Sequence, residues 1–538
     1  MKSVPVLFLI AAVSFATCMS CGKNNDDDIK PLEDTVKISF MNQRVVITNP
    51  YEQKGVKITA NGADVVVTST LSDEVTYILS GSTSEGSLKI YSDTRFELKM
   101  NGVTIANSDD PALNIQSGKK ATVTLVEGTV NNFVGGEKFV SEGGSEDVKA
   151  AFFSEGQLVF HGTGILTVGS LYRHAICSDD YIQIDGGNIG ILSSSDGIHA
   201  KDYIEVNDGT IEITSGSDGM DSEGYIHLYG GDIKITTRGT KGHGIKSATE
   251  TVVRTAGDID INVQGNASKA FNCGGNMRIS EGNIHLETSG DAFYDTAESD
   301  ISSAAGIKCD GNLTLDGGNV VIVSSGSGGK GINVNGTLTL NNGVVAVTAT
   351  GENFNYSDSD TEAKAIKSDG DLTVNGGLIY AYSTSHHGID SKRSLTIAGG
   401  TVVAVGSDSS KKGFDYGNTF KITGGTILGI GGTAILPTAS VCTQYAIACS
   451  GNMIQDTLFN ITSSTEKNIL TCRIPYTLSR AAILFSSSDL EMNASYTISS
   501  GGSVSGGNSF HGLYSGATYS GGTVQSSFTV SSMVTNVW

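Results

Sequence analysis

Residues 196–222 read DGIHAKDYIEVNDGTIEITSGSDGMDS, and the fold follows from this stretch. It opens and closes on the same short phrase, Asp196-Gly-Ile and Asp218-Gly-Met. Between them lie two runs, Tyr203–Val206 and Thr210–Ile213, in which apolar residues alternate with polar ones around a Gly-containing turn. Strict alternation over four or five residues means a strand with one face buried. The phrase recurs at His174, Asp196, Asp218, His243, Lys269, Ala305, Lys330, Lys364, His387 and Lys412. A second mark follows each time: apolar-any-apolar, a Gly turn, then apolar-any-apolar, as in LTLDGGNVVI (313–322) and LTVNGGLIYA (372–381). The second glycine of that turn falls at 187, 209, 231, 257, 282, 318, 343, 377, 400 and 425. Steps between repeats are 22 to 26 residues, with two long ones of 36 and 34. One such coil cannot bury its own inward face, whereas stacked coils share a continuous core. The chain is therefore expected to form an all-β solenoid, a right-handed parallel β-helix, over about residues 38–432. A β-propeller would need blades of roughly 40–45 residues.

Composition agrees. Glycine is 69 of 538 residues, proline only 6 and tryptophan 1. A net charge of −21 argues against a basic surface for nucleic acid. Upstream, Val56 to Asn132 alternates less regularly, and PALNI (111–115) and AFFS (151–154) look like earlier coils. After Gly432 the period is lost, and residues 433–538 are expected to form a C-terminal β cap or small β domain.

The first twenty residues read as a signal segment. Lys2 precedes an apolar run, Val4 to Ala16, too short to span a bilayer, and Ser20-Cys21 then offers a lipoprotein cleavage site with Cys21 acylated. Cys18 after Thr17 is the alternative. The acidic stretch after Cys21, within residues 21–37, resembles the surface-export tether of Bacteroidota lipoproteins. A secreted lipoprotein on the outer-membrane cell surface is expected, touching the membrane only through its lipid. Of the other cysteines, Cys177, Cys273 and Cys309 are read as one inward repeat position. An oxidising compartment would allow a disulfide among Cys442, Cys449 and Cys472.

MNGVTI (100–105) with PAL (111–113), VTLVEGTVNN (123–132) and the Asp-Gly-Ile repeats resemble the bacterial cell-surface, carbohydrate-binding β-helix family whose founding member is clostridial. LFSSSDL (484–490), YTI (496–498) and SFTVSSM (527–533) resemble its tail. The likeness runs from about residue 38 to about 430. It implies a right-handed β-helix that binds calcium and plant-type glycans, acidic ones included, with no established catalytic centre.

In a β-helix, equivalent repeat positions stack into columns. Asp196 and Asp218 fall on adjacent coils, about 4.8 Å apart by strand spacing, and calcium takes oxygen ligands at about 2.3–2.6 Å. Asp221 adds a third carboxylate, and Asp390 with Asp415 forms a second pair, so Ca2+ is the expected cofactor. Lys330 and Lys364 share the same column, flanked by Lys308 and Lys367. Like charges that close repel unless an anion lies across them, and a uronic-acid polymer would supply one. The two long steps are inserts carrying Tyr294, then Phe354 and Tyr356, able to wall a cleft and stack on sugar rings.

Gly242-His243-Gly244 matches a polygalacturonase signal, but Asp179-Asp180 falls far from that column and Arg278-Ile279 is followed by Ser280. The expected function is calcium-assisted, noncatalytic binding of an acidic or cellulose-like polysaccharide. The alternatives are a calcium-dependent uronate lyase, with a lysine as base, and a β-helical adhesin.

Overall fold

The computed structural model describes residues 34–140, 144, 146–407, 411–433 and 435–537. The signal segment, Cys21 and most of the tether fall outside the described residues. The rest is a β-solenoid of about 14 turns, with helical structure limited to short 3-10 turns such as Glu52–Lys54 and Ala439–Val441.

Each coil contributes one short strand to a 15-stranded sheet and further strands to a 27-stranded one. The coil beginning at His174 shows the plan. Strand His174–Ser178 lies in the first sheet, and strand Ile182–Ser193 in the second. That second strand loses register between Asp185 and Asn188. Gly186 and Gly187 stand there with φ of 154° and 99°. Nine of the ten turn glycines singled out by the repeat have positive φ, Gly257 being the exception. Only glycine enters that region without steric cost.

The alternation works as the sequence requires. Ile176, Ile198, Met220, Ile245 and Phe271 pair in register from coil to coil, and Ile307, Ile332, Ile366, Ile389 and Phe414 continue the line. All are essentially shut off from water. Each such side chain contributes about 1.5–3 kcal/mol relative to exposure. The upstream coils join the same stack: Phe152 pairs with Ile176 and with Leu113, and Leu113 with Leu88. Hairpins Val36–Met41/Arg44–Thr48 and Val56–Asn61/Asp64–Ser69 begin the rod.

Two cysteine expectations change. Cys273 and Cys309 do stack inward on adjacent coils. Cys177 instead pairs with His199, one position earlier, in the outward column. Ser178 holds the inward place, and Cys177 is buried against Ala150 and Phe153. Cys442, Cys449 and Cys472 are buried free thiols rather than a disulfide set.

The C-terminal residues do two things. Strands Ala446–Met453 and Leu478–Ser486 pair antiparallel with each other, and the latter pairs with the last coil strand, Thr426–Gly431. A separate six-stranded sheet spans 458–529. Its core packs on the outside of the last coils, where Tyr380, Val403, Val405, Leu428 and Ile430 are buried with Phe459, Ile461 and Phe485.

Candidate functional site

The outward column beginning at His174 is hydrogen-bonded along its own length. Asp196 Oδ1 accepts the Asp218 N–H at 2.9 Å, and Asp218 Oδ1 accepts the His243 N–H at 2.7 Å. His243 Nδ1 accepts the Lys269 N–H at 3.1 Å. His387 does the same for Lys412 further on, at 2.9 Å. A coil corner leaves backbone donors in need of acceptors, and a short acceptor side chain at this position supplies one. His243 is buried, and burial, then the nearby lysines, push it well below the ordinary imidazole range, so it is neutral. That state suits an acceptor nitrogen and accounts for His243 without catalysis.

The acidic segment brings Asp196, Asp218 and Asp221 together, with carboxylate oxygens within 4.8 Å of one another. Lys246 Nζ lies across two of them, 3.1 Å from Asp218 Oδ2 and 3.1 Å from Asp221 Oδ1. Burial opposes the Lys246 charge, but these two carboxylates raise its pKa above the usual lysine value. Burial also works against ionised Asp196, yet His174 and the Asp218 N–H bring it down to about 2. Burial dominates at Asp218, which rises to about 6. Calcium takes six to eight oxygens; here one oxygen of Asp196 and one of Asp218 serve backbone amides, an ammonium bridges Asp218 Oδ2 and Asp221 Oδ1, and Asp196 Oδ2 and Asp221 Oδ2 face His174 and His199. As arranged, the three carboxylates do not fit a calcium cage.

Asp390 and Asp415 pair across adjacent coils, as the repeat implies. They face cations, however: Asp390 Oδ2 lies 2.6 Å from Lys364 Nζ and 3.1 Å from Lys392 Nζ. Asp415 lies 2.9 Å from Lys412 and 3.3 Å from His387. This pair does not fit calcium either.

The basic segment is different. Lys330 pairs in register with Lys364, and Lys308 and Lys367 flank them in the neighbouring column with Asn333 between. All four line one cleft of about 390 Å³, together with Lys269, Lys392 and the carboxylates of Glu298, Asp300, Asp360 and Glu362. Its walls are the two inserts. Each is a hairpin, Phe293–Asp295 with Asp300–Ser302 and Phe354–Tyr356 with Ser359–Thr361. Tyr294 and Tyr356 stack on each other with ring centroids 4.1 Å apart and an interplanar angle of 12°. One face of each ring is thus used to join the hairpins, and neither these tyrosines nor Phe354 lines the cleft. Phe354 is half-buried, its Cβ beside Gly328 at the hairpin base.

The lysines in the cleft are not equivalent. Lys364 is 3% exposed and sits 2.6 Å from both Glu362 and Asp390. Lys308 and Lys367 contact Asp310 and Asp369. Lys330 is 5% exposed and donates to hydroxyls, Ser303 Oγ and Thr361 Oγ1, both at 2.7 Å. Lys269 donates to the Ala267 carbonyl and to Ser302 Oγ. Among the described residues neither Lys330 nor Lys269 has an ion pair. Burial, then Lys367 and Lys364, lower Lys330 to about 7; burial, then Lys308 and Lys241, lower Lys269 to about 8. Both hydroxyl partners of Lys330 come from the inserts, a link that column logic alone does not reveal.

Three stacked tyrosines, Tyr181, Tyr203 and Tyr225, were not singled out by the sequence reading. Their ring centroids are 4.6 and 4.7 Å apart and nearly parallel. The ladder uses their faces and leaves edges outward, which suits solenoid stability better than sugar stacking.

The family described as "Carbohydrate-binding domain-containing protein" matches residues 61–353 and 276–413. A protein of that description from Acetivibrio thermocellus is 27% identical over 197 residues, 35% of this chain, and the match spans 64% of the relative's length. A solved structure described as the polysaccharide lyase-like protein from C. thermocellum, gadolinium derivative, is 24% identical. It covers 46% of this chain and 96% of its own, with a TM-score of 0.40.

Proposed function

The chain belongs to the carbohydrate-binding domain family, and from that premise we propose that it binds an acidic polysaccharide in the lysine cleft between the two hairpins. The observation that carries this reading is Lys330: a buried amine held by two neutral hydroxyls, among further lysines, on a protein of net charge −21. Burying a cation without a counter-charge is costly, and a uronate carboxylate entering the cleft would relieve that cost. Repeated carboxylates along a polymer match lysines repeated along the rod. Charge-assisted hydrogen bonds to them are worth about 1.5–3 kcal/mol each. The reading requires no calcium. Surface attachment through Cys21 is proposed on the sequence reading alone.

One observation favours a second reading, a lyase. An amine brought to about 7 is half neutral at physiological pH and so can accept a proton. In a β-elimination, Lys330 Nζ would take the proton beside the uronate carboxylate, the electron pair of that C–H bond would form the C=C bond, and the C–O bond would break with its electron pair on the leaving sugar's oxygen, which takes a proton from water.

The test is incubation of the purified protein with polygalacturonate, and separately with cellulose, in calcium and in chelator. Bound protein and the ultraviolet absorbance of unsaturated uronate are read together. Binding to polygalacturonate in both conditions with flat absorbance supports the binding module. Rising absorbance that Lys330→Met abolishes supports the lyase. Retention on cellulose alone contradicts both.

A further inference from the structure

The other end of the column carries a second cluster, which neither column shows by itself. His174 belongs to one column and His199 to the next, yet their rings stack with centroids 4.8 Å apart and 13° between planes. Both Nδ1 atoms face one carboxylate oxygen. Asp196 Oδ2 lies 3.0 Å from His174 Nδ1 and 3.8 Å from His199 Nδ1. Asp221 Oδ2 lies 3.1 Å from His199 Nδ1. The remaining oxygen of each carboxylate is held from behind: Asp196 Oδ1 by the Asp218 N–H at 2.9 Å, Asp221 Oδ1 by Lys246 Nζ at 3.1 Å. The four side chains are only 9–20% exposed.

We infer that His174, Asp196 and His199, with Asp221 beside His199, form a binding site for one divalent transition metal of the zinc class, a fourth position being left to water or a ligand. Zinc binds histidine nitrogen and carboxylate oxygen at about 2.0–2.2 Å, which puts tetrahedral donors about 3.3–3.6 Å apart. The two separations within the group, 3.0 and 3.8 Å, bracket that range. Two imidazoles select against calcium, which takes oxygen. The oxygens pinned from behind are the outer-shell support that orients metal ligands. His174 comes from one coil and Asp196 with His199 from the next, so the ion would clip two consecutive coils. This site is independent of the polysaccharide reading.

The test uses the purified protein without a polyhistidine tag, stripped with chelator and titrated with Zn2+ by calorimetry and with Co2+ by visible absorption. One equivalent should bind, with the intense visible bands of tetrahedral cobalt, a raised melting temperature in zinc, and no such response to calcium. His174→Ala and His199→Gln should each weaken zinc by more than the about 10- to 100-fold that losing an outer-shell partner costs, whereas Asp218→Asn should stay within about threefold of the parent. Absence of zinc heat and cobalt bands in the parent protein would overturn the proposal and leave a histidine–carboxylate ion-pair network. So would unchanged affinity in folded variants. The parent titration decides the matter even if a variant fails to fold.

Discussion

The two ends of one outward column share backbone, register and inward neighbours, and they carry opposite chemistry. From His174 to Lys246 the positions are filled by histidine and aspartate, which satisfy each other and the amides of the next coil. From Lys269 to Lys364 the column holds Lys269, Ala305, Lys330 and Lys364, and with Lys308, Lys367 and Lys392 beside it the lysines lie beneath two hairpins, some ion-paired and some not. The difference teaches that the solenoid sets position and the loops set function. The acidic end has short corners and is closed by its own side chains. The basic end has long corners that bury Lys330 against hydroxyls and, among the described residues, without an ion pair.

The sharpest way to break the comparison is to remove a wall. Replacing 352–361 with a short glycine linker takes away Thr361 and opens Lys330 to water. Retention on polygalacturonate should fall by at least about 100-fold, equivalent to about 2.7 kcal/mol. Circular dichroism of the rod should be unchanged. The equivalent shortening of the corner Ser194–Ser195 should leave retention as it is.

Lys364→Met removes the partner of a carboxylate as buried as itself, 3% and 2% exposed. Breaking a buried pair costs about 3–5 kcal/mol, and because Lys392 remains 3.1 Å from Asp390 the lower end of that range is expected in a denaturant melt. Inward substitutions should not distinguish the two ends. Ile198→Ala and Ile332→Ala are each fully buried in the same line, and each should cost about 2–5 kcal/mol. A systematic difference between them would mean that the ends do not share one core.

The ends also differ in pH response. Lys330 has a folded value of about 7 against 10.5 for the ordinary side chain. The unfolded chain therefore binds more protons between those values, and the lysine's contribution makes stability rise with pH across that window. Lys330→Met should flatten that slope. Ligand binding runs the other way, because a uronate favours the protonated amine. Affinity should fall several-fold from pH 6 to pH 8.5, and less in the Lys330→Met protein. The smallest effect expected is Tyr294→Ser. An aromatic pair contributes about 0.5–1.5 kcal/mol beyond its area, so looser hairpins should weaken binding by roughly two- to tenfold.

Much of this was legible in the sequence. Alternation, the Asp-Gly-Ile phrase and the turn glycines give the coil, its register and the line from Ile176 to Phe414. The two long steps correctly place walls around Lys330 and Lys364. Three features escaped for physical reasons. His174-Ala-Ile-Cys resembles the repeat phrase so closely that Cys177 was assigned inward, although Ser178 fills that place. Contacts between columns, such as His174 with His199, depend on corner geometry and not on spacing along either column. Lys246 lying across Asp218 and Asp221 likewise needs side-chain directions that a column of letters lacks. The outward burial of Val403 and Val405 did leave a trace. Alternation fails in TVVAV (401–405), which signals a strand covered on both faces, here by the C-terminal sheet.

The central claim is where the glycan lies, and amide hydrogen exchange with and without polygalacturonate tests it most directly. Protection should appear in the hairpins at 289–304 and 350–363 and at Lys330–Val334, with 196–246 and 458–529 unchanged. Protection confined to the C-terminal sheet or to the acidic end, with the hairpins exchanging as before, would contradict the account.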